Sequence, residues 1–276
     1  MNPSFHITNT TGDATAHLFV FAGSHGFSLA VLDRQQQQFI AVAVYHFNNE
    51  MTGAEKTAAV ENILQNESLL QQGYAKTDIT WCTPQSIITP QSFFSREKCA
   101  EMLAMVFGDA GEYSVRHELV LKQHCYNMYR LDTAFEKTVN RQFPGAVQWQ
   151  QYSLLVNIDE HTKDLFYCNF NPGSITVMLR RSGCLQCVLD VEYNTPEDAV
   201  YHLLNICQRF DIAAADTVIA VSGMIDESSG LYRELYKYFM GIAFSGLPDI
   251  FTYSDEIKSY PSHYFSHLFA IAACEL

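Results

Sequence analysis

Basic side chains are scarce in this chain of 276 residues: 17 Lys and Arg stand against 30 Asp and Glu, for a formal net charge of −13. A surface of that sign neither wraps a phosphate backbone nor docks on anionic lipid, so nucleic-acid binding is set aside. Long apolar runs are also lacking. No stretch approaches the 18 uninterrupted apolar residues of a membrane-spanning helix, so no membrane insertion is expected. The first fifteen residues, MNPSFHITNTTGDAT, have neither the basic start nor the apolar stretch of a signal peptide, and the expected location is the cytoplasm. Charged residues make up only 17% of the chain while hydrophobic ones reach 48%, a balance that excludes intrinsic disorder.

In that compartment the eight cysteines read as reduced thiols serving as small buried hydrophobes. Cys184 and Cys187 form a CxxC without a second copy to complete a tetrahedral zinc site, and on a strand the two would point to opposite faces. They are expected to be structural. His263 and His267 stand four apart near the C-terminus, but HxxxH without an acidic neighbour and a third ligand reads as a packed or solvated pair. No metal site is expected.

What the chain does contain is an internal repeat. HLFVFAGSHGFSLAVLD (17 to 33) and DLFYCNFNPGSITVMLRR (164 to 181) each run apolar into a Gly-containing turn and apolar out again. Each hairpin leads through a polar turn, Gln35 to Gln38 or Arg181 to Gly183, into a third strand and then a helix. The helix starts agree too. Thr52 with Glu55 makes a capping box, and Thr195 with Asp198 repeats it, with Pro196 at the first helical position. A strand follows each helix (77 to 84; 216 to 223), then another helix (Ser95 to Phe107; Ser229 to Met240). A further strand and helix precede Pro144 and Gly145, and a last helix covers about Ser262 to Cys274. The expected class is therefore α/β, two tandem lobes, each βββαβα on a mixed sheet whose first three strands are antiparallel. The lobes are placed at 1–150 and 151–276, with a cleft between them.

This arrangement, with a hydrophobic strand ending in Ser222-Gly223, resembles the RNase H-like superfamily of sugar kinases, heat-shock chaperones and actin. More narrowly, SIITPQSFF (86 to 94), GMIDESSGLYRELYKYF (223 to 239) and HYFSHLFAIAACEL (263 to 276) resemble an uncharacterised family from Bacteroidetes with an actin-like ATPase fold. The likeness extends over essentially the whole chain and brings no activity with it. It implies a phosphate loop after the first strand of each lobe and, at each strand end, an Asp that holds Mg²⁺ or orients water. Here those positions fall on Phe21 and on Cys168 or Asn169, none of them a carboxylate.

The backbone half of such a site remains open to two readings. Gly23, Ser24, His25 and Gly26, and likewise Gly173, would cradle an anion with their N–H groups or would simply close hairpins. Gly223, beside Ser222, would admit a base or ribose or would let a strand end sharply. Two functions compete. One is a catalytically degenerate scaffold that binds a protein partner, with no cofactor or with ATP held but not hydrolysed. The other is an ATP-binding protein or ATPase using non-standard acids, with Asp13, Asp159, Glu160 and Asp226 available and Asp226 the best placed.

Overall fold

Residues 1–8, 15–109, 111–158 and 162–275 are described by a computed structural model. In chain order the first strands and helices are β1 (Phe5–Thr8), β2 (His17–Gly23), β3 (Gly26–Asp33), β4 (Gln38–His46), α1 (Gly53–Asn66), β5 (Lys76–Cys82), β6 (Ser86–Pro90), α2 (Cys99–Phe107) and β7 (Tyr113–Val120). Next come β8 (Cys125–Asp132), α3 (Thr133–Gln142), β9 (Val147–Gln150) and α4 (Gln151–Leu155). The remainder holds β10 (Leu165–Asn171), β11 (Ser174–Arg181), β12 (Cys184–Glu192), α5 (Pro196–Arg209), β13 (Val218–Gly223), α6 (Gly230–Leu235), β14 (Gly241–Phe244), β15 (Thr252–Tyr253), α7 (Asp255–Lys258) and α8 (His263–Glu275). Among the described residues, no helix is long and apolar enough to cross a membrane.

The chain divides into two units: unit 1 is Met1–Leu154 with Asp249–Ser259, and unit 2 is Leu155–Pro248 with Tyr260–Leu276. Unit 1 is built on a sheet ordered β1-β4-β3-β2-β5-β9, with β15 alongside β4. Strands β2, β3 and β4 form the antiparallel meander expected from the first hairpin, and β5 returns parallel to β2 after the α1 crossover. The strand β2 is buried along its whole length because both faces of the sheet are covered. On one face α1 inserts Val60, Ile63 and Leu64, spaced for one side of a helix, against Leu18, Val20 and Ala22. On the other, Phe39 meets Phe251 edge-on and stacks on Tyr253, both from the 249–259 segment. A separate antiparallel sheet, β6-β8-β7, packs with α2 through Cys99, Leu103 and Met128.

Unit 2 repeats the plan in a five-stranded sheet ordered β12-β11-β10-β13-β14, with the first three strands antiparallel and β13 parallel to β10. Its crossover helix α5 presents Ala199, Val200, Leu203, Ile206 and Cys207 to the core. Both crossover helices begin at closed capping boxes. Thr52 Oγ1 accepts from Glu55 N while Glu55 Oε2 accepts from Thr52 N, and Thr195 with Asp198 does the same. Each cap satisfies backbone donors worth about 1 kcal/mol of helix stability.

The helix expected over Ser229 to Met240 is shorter than its sequence suggested. Ser229 caps it as expected, but α6 stops at Leu235, and the following residues turn so that Met240 N reaches Ala214 O at 3.2 Å. The α-helix expected from Ser95 starts at Cys99, after a single 3-10 turn. Strands β6 and β7 are unannounced in the sequence because both are half-exposed and carry polar side chains among the apolar ones.

Candidate functional site

The parallel neighbours β2 and β5 part company at their carboxyl ends: β2 folds back into β3, while β5 leads away to β6 in the small sheet. A crevice opens where neighbouring strands diverge in this way. Helices α1 and α3 both begin there, and a pocket of about 210 Å³ is lined by Ser24, Lys56, Trp81, Tyr113, Arg130 and Asp132 among others. Its floor is apolar, formed by Ala22, Leu131, Phe135 and Trp81, whose indole N–H donates to Gln148 Oε1 at 3.1 Å.

Two of the charged groups at this pocket, Arg130 and Asp132, are held by the fold itself. Arg130, buried, donates from Nε to Gln85 Oε1 at 2.7 Å and from its terminal nitrogens to the carbonyls of Gly108 and Phe107 at 2.6 and 3.0 Å. Its guanidinium lies 4.1 Å from the centre of the Tyr113 ring. The arrangement places a cation against the carboxyl end of α2, where carbonyls lack helical partners. Asp132 Oδ1 accepts from Ala134 N and Phe135 N at 3.0 and 2.9 Å, capping α3. The Ser24 hydroxyl is buried with no hydrogen-bond partner. Such a pocket suits an apolar group. Lys56, Trp81, Tyr113, Arg130 and Asp132 escaped the sequence reading. A usable signal was there for the last two: a lone Arg in the apolar strand YNMYRLD, ending in an Asp that opens the helix TAFEKTV.

The glycines of the first turn are explained by crowding. A Cβ on Gly23 would lie 2.3 Å from Cys82 O, and one on Gly26 would lie 2.5 Å from Tyr45 O. The Ser24 N–H is directed at Cys82 O, 3.4 Å away. In unit 2, Gly173 sits at φ +78° in the two-residue turn after Pro172. Gly223 has φ +81°, and a Cβ there would come within 2.2 Å of Phe170 O, so only glycine fits where β13 ends.

The strand-end positions resolve by facing. Phe21 is buried on the sheet face opposite to Leu18, Val20 and Ala22, the residues that α1 covers. In β10, Cys168 points into the core under α5, and burial pushes its thiol well above the ordinary value. Asn169, like Phe21, lies on the sheet face away from the crossover helix. It is 5% exposed, pairs in register with Ser222, and its Oδ1 accepts from Ser222 Oγ at 2.9 Å. Ser222 Oγ is also 2.6 Å from the Tyr167 hydroxyl. This Tyr167–Ser222–Asn169 chain is neutral throughout.

Asp226 lies on the surface after β13, where its Oδ1 accepts from Ser228 Oγ and N at 2.5 and 2.8 Å. The Ser228 hydroxyl, then the N–H groups of Ser228 and Ser229, hold its carboxyl below the ordinary value. Asp13, Asp159 and Glu160 lie outside the described residues. Cys187 is half-buried and burial raises its thiol to about 11, whereas Cys184 is exposed. His263 Nε2 bonds to Ile225 O at 2.6 Å.

Comparison with known proteins places this geometry. No curated protein matches the chain. A Bacteroides thetaiotaomicron protein described as having an actin-like ATPase fold and unknown function is similar at 16% identity and a TM-score of 0.73, over 87% of this chain and 94% of that one. The PilM–PilN type IV pilus biogenesis complex is similar at 10% identity and a TM-score of 0.60, over 96% of this chain and 99% of that one. The ethanolamine utilization protein EutJ from Carboxydothermus hydrogenoformans follows at 10% identity and 0.52, over 96% and 92%. The fold is that of the actin-like ATPases. Residues 6–242 match the family described as "Protein of unknown function (DUF3822)", and the chain belongs to that family.

Proposed function

We propose that the chain is a binding module on an actin-like scaffold, residing in the cytoplasm, that engages a protein partner and turns over no nucleotide. One observation carries this reading: the two strand-end positions that phosphoryl chemistry fills with carboxylates hold Phe21, which has no coordinating atom, and Asn169, which is neutral and already bonded to Ser222. Mg²⁺ is a hard cation bound through one or two carboxylates, and phosphoryl transfer relies on its charge. ATP bound to this chain would be held without hydrolysis. Asp226, the best placed of the acids offered to the rival enzyme reading, is engaged in its own turn with Ser228.

The unit 1 pocket supports the partner half of the proposal. With Arg130 and Asp132 committed to helix ends and an apolar floor, it suits an apolar side chain better than a polyphosphate. Thermal denaturation with millimolar Mg²⁺-ATP tests the nucleotide half. A ligand at about 100 times its Kd stabilises by roughly 2.7 kcal/mol, or about 5 to 11 °C in a chain of this size. The expected shift is near zero, and a saturable rise would favour the ATP-binding alternative. For the partner half, Ser24→Arg, which puts a long cation among the lining residues of the pocket, is expected to lose the protein that wild type retains from native lysate. Retention unchanged by that variant would move the partner site elsewhere.

A further inference from the structure

In each unit a groove runs between the third strand of the meander and the crossover helix, and the two grooves are built from equivalent positions. Counted from the N-cap residues Thr52 and Thr195, Asn62, Ile63, Asn66 and Glu67 of unit 1 match Asn205, Ile206, Arg209 and Phe210 of unit 2. Both sets line their groove. On the strands, Tyr45 and Ala43 pair with Phe27 and Leu29 as Val191 and Leu189 pair with Ile175 and Val177. Among the described residues, only the unit 1 groove is flanked by a further strand. There β1 pairs antiparallel with β4, which sets His6 opposite Ala43 and brings its ring to Glu67 at 3.1 Å. The amino group of Met1 reaches Asn62 Oδ1 at 2.9 Å. Strand β4 is buried from Phe39 to Tyr45, whereas no residue of β12 is fully buried. Strand β12 ends its sheet, and its sequence CLQCVLDVE has neither the Lys nor the Pro that commonly protects an edge. Its Cys187, Leu189 and Val191 face α5 across an apolar groove of about 360 Å³.

We propose that β12 receives an extended segment of a protein partner, paired antiparallel as β1 pairs with β4. The internal repeat specifies what that segment carries. The residue in the place of His6 stands opposite Leu189 and points toward Phe210, where unit 1 has Glu67, so an apolar side chain replaces the imidazole. Two residues further on, in the place of Thr8, the partner side chain stands opposite Cys187. Arg209 lies there, lining the groove and close enough for its charge to act on the Cys187 thiol. A carboxylate at this position meets the exposed guanidinium. The N-terminal strand of a second copy has neither feature, since FHIT brings His6 and Thr8 to these two positions. The occupant is therefore a strand from another protein, apolar at one position and acidic two residues later, whose backbone pairs with the outer edge of β12. The site is built wholly from unit 2 residues and stands whether or not the unit 1 pocket holds a side chain.

Fluorescence anisotropy on the full chain tests this with a labelled eight-residue peptide of Thr and Val that carries Leu at one position and Glu two residues later. Two further probes replace the Glu by Lys or methylate alternate backbone nitrogens on the pairing edge. Saturable binding of the Leu/Glu peptide is expected, with the Lys probe about fivefold weaker and the methylated probe at least about tenfold weaker. Arg209 is exposed, so Arg209→Glu should fold as wild type does by circular dichroism and reverse the preference between the Glu and Lys probes. Absence of saturable binding up to about 1 mM peptide overturns the proposal. So does binding indifferent to backbone methylation, which puts the peptide off the strand edge, or a preference that Arg209→Glu leaves unchanged. A dimer of the chain alone that the peptide dissociates in sedimentation velocity also overturns it, by giving the edge to a second copy.

Discussion

On the proposed reading Asn169→Asp would put an acid back at the strand end, and the structure sets what that acid should cost. The position is 5% exposed, and its bonded neighbour Ser222 and that serine's own partner Tyr167 are neutral hydroxyls, with Ser222 itself fully buried. An aspartate is nearly isosteric with asparagine, so the protonated form should fold as well as wild type. Ionisation is different, because burial without a cation disfavours the charged form and raises the folded carboxyl above its ordinary value near 3.9. The folded state then holds its proton more tightly than the unfolded chain. The variant should match wild type at about pH 4, lose stability as pH rises through the raised folded value, and level off roughly 3 kcal/mol below wild type, on the order of two pKa units for a buried carboxylate without a cation. In melting temperature that is a deficit of about 6 to 12 °C, read by calorimetry or circular dichroism from pH 4.5 to 8. Equal stability of variant and wild type at pH 7 would refute the reasoning. Recovery of the variant by Mg²⁺-ATP would do so more sharply, since it would reveal a metal site waiting only for its charge.

A buried pair in unit 1 predicts the opposite pH dependence. Asp78 Oδ2 accepts from His17 Nε2 at 2.9 Å and from Lys76 Nζ at 2.6 Å. Burial pushes its carboxyl up, but the two donors outweigh that and leave it below the ordinary value. Its contribution is therefore present above the unfolded carboxylate range and lost as pH falls, so Asp78→Asn should flatten the acid limb of a stability profile measured between pH 2.5 and 6. Gly223→Ala must adopt a positive φ with its Cβ 2.2 Å from Phe170 O, and β10 and β13 should separate at a cost of about 3 kcal/mol, visible as a lowered denaturant midpoint. Replacing Cys184 and Cys187 by Ala and Val should leave metal content by elemental analysis unchanged; stoichiometric zinc that vanishes in the double variant would contradict the structural reading of these thiols.

Periodic and locally encoded features were legible in the chain. The meanders at 17–47 and 164–194, the parallel returns and both capping boxes follow from apolar runs, turn residues and T-x-x-E or T-x-x-D spacing, all of which act over a few residues. Other parts depend on tertiary company. The strand β15 is two residues long, and Phe251 and Tyr253 become core only because Phe39 is waiting for them. In α6, Leu235 ends the helix because the chain must reach β14, which no local signal announces. The unit 1 pocket was hidden for the same reason, since Ser24, Lys56, Trp81 and Arg130 come from four separate elements. Which of Cys168 and Asn169 is turned into the core could not be read along one strand, because it depends on the side on which α5 packs.

The central claim is that Phe21 and Asn169 leave this actin-like scaffold without the charge that phosphoryl transfer needs. The most direct test is phosphate release by purified full-length chain at saturating Mg²⁺-ATP, compared with Asp226→Asn. The account predicts release indistinguishable from buffer for both proteins. Sustained turnover by wild type that disappears in Asp226→Asn would contradict it and make the protein an ATPase with a displaced acid.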